Sequence, residues 1–257
     1  MKINSNEIEQ YSYAKYIYEL RKLCFIHKIN MEVIGHKVFD KIKQSYPLYR
    51  ITINPTASKR ICIISGVHGY EIAGVLSFLE IFSNPKKLFN DDISYRIYPC
   101  INPTAFDLRQ RMNDFSVDLN ELTWQSLKSK KYMEVKTFYE DVKNWSMDIF
   151  LSMHEDVSMK EFYAYVFEEK EEPVYRKIIS KRKKDPFGVL KKKKIYGDVV
   201  SNSLIINVHD NSLEDYLFTN KMVRLSICTE TPGLLLLKDR IKMNIDNIKI
   251  LSNYLIK

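Results

Sequence analysis

The chain has 257 residues, 45% of them hydrophobic and 28% charged, which is typical of one globular domain. It contains no apolar run of about eighteen residues, so no transmembrane helix is predicted. The N-terminal segment lacks the apolar core and small-residue cleavage site of a secretory signal. Four scattered cysteines form no CxxC pair (Cys24, Cys62, Cys100 and Cys228). We therefore expect reduced, buried thiols in a cytoplasmic protein.

The net charge of +8 comes from one segment. Residues 176–194 contain ten lysines or arginines and one acid, so the rest of the chain has thirty basic and thirty-one acidic residues, a net charge of −1. This basic patch could anchor a polyanion or attract an anionic substrate, or it could be an ordinary solvated lysine-rich loop. Since no aromatic residues alternate with the lysines, a nucleic-acid partner is not expected. A membrane partner is not expected either.

The pattern of apolar residues predicts an α/β fold. In chain order it predicts helices at 6–28 and 30–44, strands at 49–54 and 60–65, a helix at 71–82, a strand at 93–99, a helix at 132–146, strands at 147–153, 161–168 and 223–230, and an amphipathic helix at 238–256. Continuous apolar strands that alternate with helices favour a mixed, mostly parallel central sheet with helices on both faces. The interpretation is one domain over 1–257, with 1–48 as a helical N-terminal extension.

Polar side chains follow several of the predicted strands. His68 and Glu71 follow the strand at 60–65, His154 follows the next central strand, and Glu230 ends the last one. Ligands in such sheets bind beyond the carboxyl ends of the strands, and two histidines with one carboxylate form a three-ligand catalytic zinc set. A glutamate near a helix start is also favoured electrostatically, so His68-x-x-Glu71 alone would be weak evidence for a metal.

Four motifs in order resemble those of the zinc metallocarboxypeptidases of the carboxypeptidase A type. They are "GVHGYEIAG", "INPTAFDLRQRMNDFSVDLNE", "LSMHED" and "CTETPG", and together they cover roughly residues 50–240. The related succinylglutamate desuccinylase and aspartoacylase branch shares the zinc motif. The resemblance implies a zinc carboxypeptidase-like fold and a metallopeptidase activity that hydrolyses an amide bond.

The resemblance also implies roles for individual residues. It gives one zinc ion three ligands: His68, Glu71 and His154. Glu230 matches the general base, which takes a proton from water and later gives it to the leaving amine. Arg111 stands where the family has the arginine that stabilises the oxyanion, and Arg109 is a competitor for that role. Asn120 matches an asparagine that helps to hold a substrate carboxylate.

Two positions depart from the family pattern. Glu121 replaces the arginine that clamps a C-terminal carboxylate, and a carboxylate there would repel that group. Glu121 could instead face a cationic substrate group, it could point away while another arginine or lysine clamps the carboxylate, or it could pair with a structural cation. The tyrosine expected before "NSLEDY" is missing, so His209 could replace it as a donor or be an ordinary loop residue. Tyr163 and Tyr165 are alternative hydroxyl donors.

Three functional hypotheses remain open from the sequence. The first is a zinc-dependent hydrolase of peptides, and the second is a deacylase of small N-acyl amino acids, for which the basic patch would gather anions. The third is a non-catalytic relative, which the intact set of ligands argues against. A second metal would have Glu155 and Asp156 as its nearest candidates. The oligomeric state is left open.

Overall fold

A computed structural model describes residues 11–123, 125–169 and 174–256. The helices in these ranges are α1 (Tyr13–Ile26), α2 (Ile72–Ser83), α3 (Pro103–Leu108), α4 (Met133–Val142), α5 (Val174–Arg182), α6 (Leu213–Thr219) and α7 (Leu237–Leu255). The strands are β1 (Asn30–Phe39), β2 (Gln44–Ile53), β3 (Lys59–Ser65), β4 (Ile93–Tyr98), β5 (Met147–Asp156), β6 (Tyr163–Glu168), β7 (Lys194–Ile195), β8 (Asp198–Val199), β9 (Leu204–Ile206) and β10 (Val223–Pro232). Short 3₁₀ turns lie at Pro85–Lys87, Ser126–Lys128 and Lys130–Tyr132.

Eight strands form one mixed sheet in the order β1-β2-β4-β3-β5-β10-β6-β9. The central neighbours β4, β3, β5 and β10 run parallel, and β6 and β9 also pair in parallel. The pairs β1–β2, β2–β4 and β10–β6 are antiparallel. The predicted α/β class with a mostly parallel central sheet is therefore confirmed.

The central strands are buried on both faces, which explains their continuous apolar sequences. In β3, Ile61 and Ile63 belong to the core cluster that includes α1, α2, α5 and α7, whereas Cys62 and Ile64 belong to the cluster that includes α4 and α6. Alternate residues of one strand thus serve two layers. Helices cover both faces, as the sequence predicts. Among the described helices, none combines the length and the apolar character that crossing a bilayer requires.

The predicted helix over 30–44 is wrong, because this segment contains β1 and the turn that follows it. The pairing register of β1 with β2 shifts between Val33 and Gly35, and such a bulge interrupts the two-residue alternation that identifies a strand. Lys37 is also fully buried between two carboxylates, an unusual inward residue. The predicted extension, 1–48, is therefore not wholly helical, and residues 6–10 of its first helix lie outside the described residues.

The four cysteines are all buried and free, in agreement with the expectation of buried thiols. The basic patch falls on α5 and on the loop after it, and it ends at Lys194, the first residue of β7, which forms a hairpin with β8. These two strands form a separate two-stranded sheet with antiparallel pairing.

Candidate metal centre and catalytic cleft

The carboxyl ends of three neighbouring parallel strands, β3, β5 and β10, build the floor of a cleft of about 490 Å³. Gly66 directly follows β3 and has a φ of +65°, a left-handed conformation that glycine adopts without strain. Gly69 follows His68, and its Cα faces the backbone of α3 so closely that an added Cβ would lie 1.9 Å from the Ala105 carbonyl. This close approach fixes the loop that carries His68.

Three side chains meet at this floor in the manner of a metal site. Glu71 Oε1 lies 2.6 Å from His68 Nδ1, and Glu71 Oε2 lies 2.9 Å from His154 Nδ1. One ligand atom from each residue can be chosen so that all three lie within 4.8 Å of one another, and all three side chains are buried. Two imidazole nitrogens and a carboxylate oxygen are the donor set of a catalytic zinc ion.

The far nitrogen of each histidine faces a further carboxylate. His68 Nε2 lies 3.0 Å from Asp118 Oδ1, and His154 Nε2 lies 3.6 Å from Glu214 Oε1. A carboxylate behind a histidine fixes the ring orientation and increases the basicity of a metal-binding nitrogen. The donor set and these outer partners together fit a bound divalent metal.

The members of the cluster shift one another's pKa values. Burial alone would lower the pKa of both histidines, but it is outweighed by Glu71 and Asp118 at His68, and by Glu71 and Glu214 at His154, so the pKa of each histidine is raised. The same histidines hold the pKa of Glu71 at about 2, against the effect of its burial. Because metal ligands must be deprotonated, metal binding at this site would be linked to proton release.

Glu230 stands beside the candidate ligands. It is paired with His154 in the register of β10 and β5, and with Tyr163 in the register of β10 and β6. Burial, together with the nearby carboxylates of Glu71 and Asp156, raises the pKa of Glu230 to about 8, although His154 acts in the opposite direction. A cation bound next to it would lower that pKa and favour the basic form.

Arg111 and Asn120 both line the cleft. The Arg111 side chain is 47% exposed and its Nε donates to Asp118 Oδ2 at 2.7 Å, so one carboxylate connects the arginine to His68. Arg109 points elsewhere, because its Nη2 donates to the backbone oxygen of Tyr11 at 2.7 Å. Of the two arginines considered from the sequence, the structure places Arg111 at the cleft.

Glu121 and His209 do not line the cleft. Glu121 is exposed, and its backbone N–H approaches the carbonyl of Asp118 at 3.4 Å. The His209 side chain is 62% exposed and its Nδ1 pairs with Asp215 at 2.6 Å. A role for either residue in substrate binding stays a prediction, and their positions do not bring them to the metal cluster.

Four tyrosines line the cleft: Tyr70, Tyr163, Tyr165 and Tyr196. The hydroxyls of Tyr163 and Tyr196 donate to the same oxygen of Asp156, at 2.8 and 3.0 Å. Tyr163 is buried, whereas Tyr196 is 72% exposed at the tip of the β7–β8 hairpin. Tyr196 is thus a hydroxyl group at the cleft that the sequence prediction missed.

The two candidates for a second metal already have partners. Glu155 accepts from the Ala73 N–H at 2.6 Å and pairs with Arg240 at 2.5 Å, and Asp156 accepts the hydroxyls described above. Both carboxylates thus already accept hydrogen bonds within the described part of the chain. A second group with metal-ligand spacing does occur, at His154, Glu214 and Cys228, but it uses the far nitrogen of a histidine that already belongs to the first.

Asp118 and Glu214 were also missed from the sequence, for identifiable reasons. Asp118 belongs to the quoted polar segment, but nothing in its spacing connects it to His68. Glu214 lies in the first turn of α6, where Ser212 caps the helix by accepting from the Asp215 N–H. Acidic residues in a first turn are expected from the helix dipole, so the sequence gives no reason to connect Glu214 with a histidine.

Comparisons with known proteins gave no match to a protein-family model and none to a curated protein. Solved structures do match. A protein from Shewanella amazonensis SB2B, provisionally assigned as a metallopeptidase, is 23% identical with a TM-score of 0.78, over 94% of this chain and 92% of that one. A metallo-carboxypeptidase from Burkholderia cenocepacia is 15% identical with a TM-score of 0.72, and the match covers 95% of this chain and 69% of that one.

A succinylglutamate desuccinylase/aspartoacylase from Rhodobacter sphaeroides is more distant. It is 12% identical with a TM-score of 0.56, over 82% of this chain and 60% of that one. The fold is therefore similar to that of metallopeptidases and metallo-carboxypeptidases and, less closely, to that of the desuccinylase branch. The resemblance inferred from the four motifs is confirmed in the fold.

Proposed function

We propose that this chain is a zinc-dependent hydrolase of amide bonds. The observation that carries the proposal is the convergence of His68, Glu71 and His154 beside Glu230 at the ends of neighbouring strands. A zinc ion held by the three ligands would polarise the substrate carbonyl and lower the pKa of a bound water molecule to about 7. The remaining chemistry belongs to side chains that line the cleft.

Glu230 is the proposed proton carrier. As a carboxylate it accepts a proton from the attacking water, and as a carboxylic acid it gives that proton to the leaving amine. Its place next to His154 on the neighbouring strand puts it within the same floor as the ligands. The proton thus moves from nucleophile to leaving group through one side chain.

Arg111 is the proposed donor to the oxyanion. Its guanidinium lines the cleft and is oriented by Asp118, so it can meet negative charge that develops on the carbonyl oxygen. Among the lining residues that the structure describes, it is the sole lysine or arginine. Asn120, on the same loop, would contact a polar group of the substrate.

The substrate is proposed to be a short peptide, with a small N-acyl amino acid as the second candidate. Because Glu121 lies outside the cleft lining, it gives no reason to exclude a carboxylate near Arg111. Both substrate classes carry such a group, and comparing the hydrolysis of short peptides and of N-acyl amino acids by the zinc-loaded chain separates them. The free cysteines support the proposed cytoplasmic location.

The Glu230→Gln variant tests the proposal. It keeps the shape of the side chain but removes the base, so turnover should fall by about 10²–10⁴-fold while bound zinc, measured by elemental analysis, stays at wild-type occupancy. Glu140→Gln is the matched control, with the same change at an exposed carboxylate that pairs with Lys143, and should stay close to wild-type turnover. Wild-type turnover in the Glu230→Gln variant would show that the mechanism is wrong.

A further inference from the structure

A second cavity lies outside the catalytic cleft, in the basic patch. It measures about 650 Å³, and four lysines line it: Lys183, Lys191, Lys192 and Lys193. It lies where the loop after α5 meets the base of the β7–β8 hairpin, and it shares none of its lining residues with the catalytic cleft. We call it the lysine cavity. Its volume is within the range of about 300–1,000 Å³ that small-molecule sites occupy.

The positive charge of the lysine cavity is not balanced by the protein. No carboxylate is among its described lining residues, and none of its four lysines has an ion pair with any residue in the described ranges. Arg182, in the same segment, behaves differently, because it is buried and pairs with Asp185 and Asp246. The one acidic residue of the basic patch, Asp185, is thus already paired with Arg182. The four lysines that line the cavity carry like charges, which repel each other.

The remaining lining adds apolar surface. Val189 and Leu190 are buried at the cavity, and Val199 presents a side chain that is 66% exposed. Ser203 donates its hydroxyl to the Leu190 carbonyl at 2.7 Å, so it is already satisfied. The cavity therefore offers several cationic groups next to a small apolar surface.

We infer that the lysine cavity binds a small molecule that carries a polyphosphate group, of the class to which inorganic triphosphate and nucleoside triphosphates belong. Several adjacent negative charges match four exposed lysines that line one cavity, and the exposed valine can contact the flat or apolar part of a nucleoside. A ligand with one negative charge would leave most of the lysines uncompensated. This inference rests on the cavity alone and does not depend on the proposed hydrolysis.

The position of the lysine cavity connects it to the cleft. Lys191–Lys193 lead into β7, and Val199 belongs to β8, so the cavity is formed by both sides of the hairpin base. The tip of the same hairpin carries Tyr196, which donates to Asp156 in the catalytic cleft. A ligand at the base would therefore hold the hairpin and restrict its motion, which would reduce tryptic cleavage at the lysines.

The test is calorimetric titration of the full chain with sodium tripolyphosphate and with ATP. We expect one site per chain, binding that weakens as salt rises, and slower trypsin cleavage after Lys191–Lys194 in the presence of ligand. Charge reversal in the double variant Lys191→Glu/Lys193→Glu should weaken binding roughly tenfold or more. The double variant Lys86→Glu/Lys87→Glu, with the same charge change on an exposed turn, is the matched control and should bind as wild type does.

The outcomes separate the sites to which a phosphate could bind. Equal binding by both double variants, or equal weakening in both, would place the ligand elsewhere, at the zinc ion for instance, and would overturn the inference. So would binding of RNA without binding of tripolyphosphate or ATP. Equal affinity for the two small ligands supports a site for the phosphates alone, whereas tighter binding of ATP that Val199→Ser reduces supports a nucleotide site.

Discussion

The floor and the rim of the catalytic cleft are built differently. The floor consists of side chains at the ends of strands in the sheet, and His68, Glu71 and His154 are all buried there. The rim is formed by loops and by the β7–β8 hairpin, whose strands have two residues each. The Tyr196 side chain at the rim is 72% exposed.

This difference separates two tasks. On the floor, packing on every side keeps the candidate ligands in one geometry, which metal binding and proton transfer require. At the rim, few contacts hold each side chain, so substitutions there cost little stability and the surface can vary with the substrate. We therefore expect loss of chemistry from changes at the floor, and changes in affinity from changes at the rim.

Two glycine substitutions test this comparison most strongly. In Gly69→Ala the new Cβ would lie 1.9 Å from the backbone of Ala105, so the His68 loop must move. We expect unfolding free energy to fall by about 3 kcal/mol or more, together with loss of zinc binding. In Gly188→Ala, in the lysine-rich loop, the new Cβ has no atom within 4 Å. Only the φ of +71° is unfavourable for alanine, and this should lower the unfolding free energy by about 1 kcal/mol.

Urea denaturation of both variants and elemental analysis of their zinc content provide the measurements. Gly188→Ala should keep its zinc, since Gly188 is not among the residues that line the cleft. Similar losses of stability in the two variants, or a Gly69→Ala protein that still binds zinc as wild type does, would remove the basis for treating the floor as the rigid part.

The proximity of His68, Glu71 and His154 could be predicted from the sequence because the information is local. Each candidate ligand follows an apolar strand, and parallel strands bring their carboxyl ends to one edge of the sheet. Glu214 could not be placed, because its contact with His154 joins segments sixty residues apart and its position in a first helical turn has another explanation.

The fold prediction failed at the far edge of the sheet for a related reason. A bulge interrupts the alternation of inward and outward residues in β1. The burial of Lys37 requires ion pairs with Asp114 and Glu134, which lie on distant segments. A buried charge is tolerated only with such partners, and the partners are known only once the chain is folded. Tyr196 was missed because a hairpin of two-residue strands leaves little periodicity to recognise.

Glu214→Gln tests whether the carboxylate behind His154 contributes to zinc binding. The variant keeps the buried shape but weakens the electrostatic support of His154, so zinc affinity should fall by about 10- to 100-fold. Competition with a chromogenic chelator measures the change. Glu140→Gln, an exposed carboxylate paired with Lys143, is the control, and an affinity loss no larger than the control's would limit Glu214 to a structural role.

A pair of tyrosine substitutions gives the smallest and finest test. Tyr163→Phe removes a buried donor to Asp156 and should cost about 1 kcal/mol of unfolding free energy. Tyr196→Phe removes the second donor to the same oxygen, but from an exposed side chain, so stability should change by no more than about 0.5 kcal/mol. If the rim contacts substrate, Tyr196→Phe should instead raise KM a few-fold with little change in kcat. Because the two hydroxyls share one acceptor, a difference between the variants reports the burial of each tyrosine and not the identity of its partner.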